Sequence, residues 1–267
     1  MKIKRAFIIF LLFTECFTAQ NINFNKLPIE EKFPIRVRGT EKDDIYFSYP
    51  GMICYDRYQD KVLIADIKDY KIKIFNGELD YIEEFGNYGQ GPGEFVVLQG
   101  VDLDREGNML ISEWTRIQII NKDKKPINIL NISLNRNYAK FDKRGFIYIN
   151  NAKDGFLFSV FSKNGDLVKK FGDIYNPEYE NFKSEENEVY FDFDEEDNLY
   201  CAFTNYPILR KYNKDYNLVY EKKLNMVPEV KKRLNLWNKK YKKSKDRYSF
   251  VSKTLINDLC CDENFID

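Results

Sequence analysis

Phe85-Gly-Asn-Tyr-Gly-Gln-Gly-Pro-Gly-Glu-Phe95 places four of the chain's 13 glycines, Gly86, Gly89, Gly91 and Gly93, within eight positions, with Pro92 between the last two. It comes after an alternating stretch, Tyr81-Ile-Glu-Glu-Phe85, and two readings compete for it. Gly89-x-Gly91-x-Gly93 after a strand has the look of a dinucleotide fingerprint. The next residues, Phe95-Val-Val-Leu98, have no helical period, and no lysine stands where a phosphate loop needs one. The stretch therefore reads as a loop between repeated β units. Its glycines supply turn conformations with positive φ, and Phe95 packs between the units.

The rest of the chain repeats the unit beside that loop. The first copy runs Ile53-Cys-Tyr-Asp56, Lys61-Val-Leu-Ile-Ala-Asp66, Lys71-Ile-Lys-Ile-Phe75 and Tyr81 to Phe85. The second has Val101-Asp-Leu-Asp104, Met109-Leu-Ile-Ser112 and Arg116 to Ile120. The third has Phe141-Asp142, Phe146 to Ile149, Phe158 to Phe161 and Leu167 to Phe171. The fourth has Val189 to Asp194, Leu199 to Ala202 and Ile208 to Tyr212. Period-two apolar stretches broken by Gly, Asn and Asp predict strands and hairpins. Four strands in a repeat of roughly 40–50 residues predict the blade of an all-β propeller, because one sheet buries its two faces only by stacking on neighbours.

With the repeat in place, Gly86-x-x-Gly89-x-Gly91-Pro92-Gly93-Glu94-Phe95 resembles the signature of NHL-type propellers. Asp104-x-x-Gly107-Asn108 before Met109-Leu-Ile resembles the start of the next NHL blade. A weaker copy stands at Phe171-Gly172 and Pro177 to Phe182. The resemblance is to exported six-bladed propellers of Bacteroidetes-type bacteria, over roughly residues 33–267. It implies a binding scaffold with no cofactor, acting on a protein or glycan partner through loops on one face.

Composition narrows the chemistry. There is no histidine, which removes Ser-His-Asp and Cys-His nucleophile systems, His-ligated metals and propeller lyases that rely on histidine. Forty-two basic and 42 acidic residues cancel, so no global field draws nucleic acid and an RNA-binding NHL module is disfavoured. A calcium-dependent lactonase or esterase built on a six-bladed propeller is the enzymatic alternative. Its ion would sit among inner-strand residues such as Asp102, Asn150 or Asn257. The acidic run Asp192, Asp194, Glu195, Glu196 and Asp197 reads as a hairpin tip, because a calcium loop's glycine and terminal glutamate are missing.

Lys2, Lys4 and Arg5 precede the apolar run Ala6 to Phe13, with small and polar residues up to Ala19. This predicts a secretory signal over residues 1–19 and a propeller domain over 20–267, exported to a periplasmic, cell-surface or secreted location. Eight apolar residues are too short to span a bilayer, and a buried N-terminal strand is the alternative. Lipidation at Cys16 is disfavoured, because Glu15 stands where a small residue is required. The cysteines that remain, Cys54, Cys201, Cys260 and Cys261, show no dense disulfide spacing and read as small strand residues.

From Glu221 to Phe250 the pattern changes. Pro228 suits a first helical turn, and Val230, Leu234, Trp237 and Tyr241 form one helical stripe among lysines. The expectation is an inserted amphipathic helix near 228–243, with its stripe laid on the propeller. A basic helix for an anionic membrane is the competing reading. A fifth repeat opens at Thr254 and reaches its aspartate at Asp262, a mean pitch of about 51 residues from Asp56. Six such repeats need roughly 300 residues. The sequence therefore reads as an incomplete propeller of about four and a half blades, a truncated and degraded copy being one outcome. Phe33 to Arg38 and Asp44 to Ser48 are candidate outer strands for a last blade.

Overall fold

The computed structural model describes residues 45–132, 139–175 and 183–225, together with helical residues 228, 230–232 and 234–236. Four antiparallel sheets of four strands are arranged as propeller blades. The first holds β1 (Pro50–Asp56), β2 (Lys61–Asp66), β3 (Lys71–Asn76) and β4 (Tyr81–Phe85). The second holds β5 (Leu98–Leu103), β6 (Met109–Glu113), β7 (Ile117–Ile120) and β8 (Pro126–Leu130). The third holds β9 (Ala139–Phe141), β10 (Ile147–Asn150), β11 (Phe156–Phe161) and β12 (Leu167–Asp173). The fourth holds β13 (Val189–Phe193), β14 (Leu199–Phe203), β15 (Ile208–Tyr212) and β16 (Leu218–Lys223). Every sheet is a meander in chain order, and the first strands of successive blades meet, β1 on β5 and β5 on β9.

The core lies between blades rather than inside any one of them. Leu63, Ala65, Ile72 and Ile74 of the first blade pack on Leu98, Met109, Ile111 and Ile120 of the second. Leu110, Ile117 and Ile119 turn the other way, onto Phe141, Ile147 and Ile149 of the third blade. The third and fourth blades meet over Phe158, Phe171, Phe191, Phe203 and Tyr212. A middle strand is therefore covered on both faces, which is why Met109 to Glu113 is buried throughout. Outer strands are covered little: in β16 only Tyr220 is not exposed.

The repeated aspartate ends each first strand and closes the turn after it. Asp104 accepts hydrogen bonds from the backbone N–H groups of Glu106 and Asn108 at 2.9 and 2.8 Å, and from the Asn108 side-chain amide at 2.8 Å. Asp142 and Asp194 accept from the backbone amides at the same two offsets. Burial pushes the Asp104 carboxyl up, but Lys163 at 2.7 Å and the Asn108 bonds outweigh it and hold it below the usual carboxylate range. Asp104→Ala is expected to cost about 1–3 kcal/mol, because it strands buried donors of a turn. Chemical denaturation of the two chains measures this.

Three sequence expectations change. β8 and β16 are outer strands that the repeat pattern did not mark. The departure from the blade pattern therefore starts after Lys223, not at Glu221, which carries an ion pair to Arg210 at 2.8 Å from within β16. Residues 45–48 form no strand; Phe47 stacks on Phe75 at 5.9 Å, on the face of the first blade turned away from the second. Helical residues stand at 228, 230–232 and 234–236, as expected, and the described part of the stripe lies on the protein itself. Val230 is buried, and Leu234 packs with Ala202, Leu209 and Leu224 over the outward face of the fourth blade. Trp237, Tyr241, residues 1–19, Pro177 to Phe182 and the fifth repeat from Thr254 lie outside the described residues.

Candidate functional site

The glycine-rich stretch joins β4 to β5, and its backbone is already hydrogen-bonded. Gly89 N donates to Phe95 O at 3.2 Å and Phe95 N to Asn87 O at 2.7 Å. Gly91 N donates to the Glu94 carboxylate at 2.8 Å, and Gly93 N to Gln118 Oε1 at 2.9 Å. Arg116 and Gln118 donate to Glu94 O at 2.8 and 2.7 Å, and Glu113 accepts from Val96 N at 2.7 Å. An anion cradle needs its amides pointing at the ligand, whereas these point into the loop and the second blade. Gly86, at φ +103, takes the left-handed conformation, and a Cβ there would lie 2.4 Å from Phe95 Cε2 and 2.7 Å from Tyr70 O. Phe95 itself is fully buried between the first two blades.

The axis carries the chemistry. Two residues before each turn aspartate stand Cys54, Asp102, Lys140 and Asp192, one on each first strand and no two in neighbouring blades alike. Cys54 Sγ lies 4.0 Å from Asp102 Oδ1, and Asp102 Oδ2 accepts from Phe141 N at 2.7 Å. Lys140 pairs with Asp192 at 2.7 Å. At the hairpin end of the axis, Arg57 and Lys143 both reach Glu195, tying the first and third blades to the fourth. Burial pushes the Cys54 thiol up, the Asp102, Asp56 and Asp192 carboxylates add to this, and Lys140 opposes it. The thiol therefore stays protonated at neutral pH and is a poor nucleophile.

Asp102 is pushed up to about 6, mainly by burial, with Lys140 and the Phe141 amide opposing and Asp192 adding. Its folded value lies above its unfolded one, so its charge destabilises the fold above about pH 6, and that penalty fades as pH falls toward about 4. Asp66, Asp104 and Asp194 are held low, so the stability they confer is present above about pH 4 and lost below it. Stability should therefore rise from pH 7 to about pH 5 and then drop. Asp102→Asn should raise stability at pH 7 and abolish the rise while keeping the acid-side loss, as measured by denaturant midpoints across pH.

A second set of polar residues escaped the sequence reading. Lys73, Gln118, Ser159 and Arg210 each lie on a third strand, two residues before a β-bulge, and all four are buried. Three of them grip the chain ahead of their own blade: Lys73 donates to Tyr46 O, Gln118 to Glu94 O and Arg210 to Asp173 O at the end of β12. The signal was a polar residue inside an apolar third strand, as in Ile72-Lys73-Ile74 and Ile117-Gln118-Ile119.

Of the candidate ion ligands, Asp102 is axial, whereas Asn150 is held by the third and fourth blades. Its side-chain amide donates to Leu157 O at 2.8 Å and Asn187 O at 3.2 Å, and its oxygen accepts from Val189 N at 3.2 Å. Asn257 lies outside the described residues. Among the described residues, no three Cys, Asp or Glu side chains gather as a metal would require. No described helix is long and apolar enough to cross a membrane.

No protein-family model and no curated protein matches the chain. Solved structures do match. A Bacteroides fragilis protein whose export is inferred aligns over 67% of this chain and 52% of its own length, at 15% identity and a TM-score of 0.51. Virginiamycin B lyase from Staphylococcus aureus aligns over 66% of this chain and 55% of its own, at 13% identity and a TM-score of 0.47. This chain spans about half the length of both structures. At 15% identity the likeness to the first of these is one of fold alone, in keeping with the four propeller blades described above.

Proposed function

We propose that this chain is an exported, NHL-like propeller of the six-bladed kind that acts as a non-catalytic binding scaffold. The observation that carries the reading is the axial register. Four first strands present a thiol, a carboxylate, an ammonium and a second carboxylate at one level, and the last two are paired at 2.7 Å. Groups of this kind distinguish ligands by shape and hydrogen bonding. They hold no activated nucleophile, since carboxylates flank the thiol and the chain has no histidine to deprotonate it. The NHL-like part rests on Gly86 to Phe95, and export on the basic and apolar N-terminus.

The test is to titrate the purified chain with calcium and EDTA while following thermal melting and ester hydrolysis. The scaffold reading expects neither to move. Calcium-dependent hydrolysis that disappears in Asp102→Asn would overturn it in favour of a propeller hydrolase.

A further inference from the structure

Four exposed aromatic side chains stand at one end of the propeller. Tyr49 precedes β1, Tyr88 lies in the first inter-blade loop, Trp114 comes after β6 and Phe156 opens β11. In an antiparallel meander the inter-blade connections and the turns between second and third strands fall at the same end, while the other two turns of each blade fall at the opposite one. These four side chains are therefore spread over three successive blades at one face, and they are 55%, 67%, 52% and 44% exposed. Isolated exposed aromatics are ordinary on protein surfaces. What separates these is their recurrence at the same end of neighbouring blades and the way two of them are held. Tyr70 meets Tyr88 edge-on at 4.9 Å, and Lys68 Nζ lies 5.5 Å from the Tyr49 ring centroid. Rings oriented in this way have little conformational freedom left to lose on binding.

Charge selects the ligand class. Three cations at this end are matched by carboxylates, Arg116 by Glu113, Lys170 by Asp154 and Arg210 by Glu221, while Lys68 lies over the Tyr49 ring. A single-stranded nucleic acid needs stacking rings together with a basic groove, and the matched charges supply no such field. A protein partner's anchors need a contiguous desolvated patch, whereas these rings rise from separate turns. Flat rings spaced along a face of balanced charge, with the amides of Asn87 and Gln90 in the Tyr88 loop, suit pyranose rings. Such sugars offer C–H faces to the rings and hydroxyls to the amides.

We infer that this end binds a neutral polysaccharide by stacking successive sugar rings on Tyr88, Trp114 and Phe156. The inference rests on the scaffold reading and adds the ligand's class and place. It is tested by native electrophoresis of the full chain through gels containing a mixed-linkage β-glucan, a galactomannan or dextran, with a dT oligonucleotide tested separately. At least one neutral polysaccharide should retard the chain. Tyr88→Ala/Trp114→Ala should weaken that retardation by about tenfold or more while melting as the parent does, and Tyr58→Ala at the opposite end should leave it unchanged. Retardation by none of the three, equal retardation of the double variant, or binding to the oligonucleotide alone would overturn the inference. A chain that binds polysaccharide yet hydrolyses esters with calcium overturns the scaffold reading and leaves the stacking intact. A chain that does neither overturns the stacking alone.

Discussion

Phe95→Ala will destabilise the chain by about 3–5 kcal/mol, the range for removing a fully buried phenylalanine from a core that cannot collapse. Phe95 has no exposed surface and joins Leu63, Ile72, Leu98 and Met109 between the first two blades. Its ring meets Phe85 edge-on at 6.0 Å. Two features stop the neighbours from closing the cavity. Gly86, directly beneath the ring, has no side chain to move. The flanking strands are pinned by their own ladders and by the Phe95 N to Asn87 O bond that shuts the loop. Domains of ordinary stability hold about 5–15 kcal/mol in all, so this one change should remove a large share. Urea denaturation measures it as a lower midpoint at unchanged slope. Tyr88→Ala, seven residues away and exposed, should shift stability by no more than about 0.5 kcal/mol. Similar losses for both would mean that Phe95 is not the wedge between blades.

Lys73→Met should cost about 3–5 kcal/mol, for an electrostatic reason. Lys73 and Asp66 are 3% and 0% exposed and lie 3.1 Å apart, with Asp69 and Glu84 within 3.4 and 3.8 Å of the ammonium. Burial pushes the Asp66 carboxyl up. The amides of Tyr49 and Ser48 and the Lys73 ammonium outweigh this and keep it low. Removing the ammonium leaves a buried carboxylate on two amide bonds. The deficit should be largest at neutral pH and shrink as pH falls, first as the variant's Asp66, no longer held low by the ammonium, takes up its proton, and further below about pH 4 as the parent's does. Lys73→Met/Asp66→Asn should recover most of the loss, since a buried pair contributes less than a broken one costs. A single variant within about 1 kcal/mol of the parent, or a double variant no better than the single, would contradict this account of the clamp.

How much of the fold the sequence reveals depends on how each residue is covered. First and middle strands touch neighbouring blades, so β2, β6, β13 and β14 show unbroken or alternating apolar runs and are legible to within one residue, whereas β1 starts at Pro50, three residues before the Ile53 that the pattern marks. β8 and β16 are solvated and carry little of that period, and they passed unmarked. The turn aspartates were visible because a carboxylate that caps a hairpin must recur at the same offset in every blade. The axial set shares a register but no common residue type, so Cys54, Asp102, Lys140 and Asp192 form no motif; the sequence offers Asp102 as an ion ligand and Asp192 only as part of an acidic run that fails as a calcium loop. The clamp residues were hidden for the opposite reason. A lysine or glutamine between isoleucines looks like ordinary strand alternation until its partner, a carbonyl some 20 to 40 residues earlier in the chain, is placed beside it. Asn150 shows the converse case: expected on an inner strand as an ion ligand, it ends the second strand of its blade, β10, and is engaged in joining two blades.

The most direct test of the reading that organises this fold is amide hydrogen exchange over Gly86 to Val96, with and without ATP, NADH or inorganic phosphate. A clamp between blades has its amides at Gly89, Gly91, Gly93, Phe95 and Val96 already donated to Phe95 O, Glu94, Gln118, Asn87 O and Glu113. These amides should be protected in the free chain and unchanged by all three additions. Amides that exchange freely in the free chain and become protected when nucleotide or phosphate is added would contradict it and make the loop a ligand site.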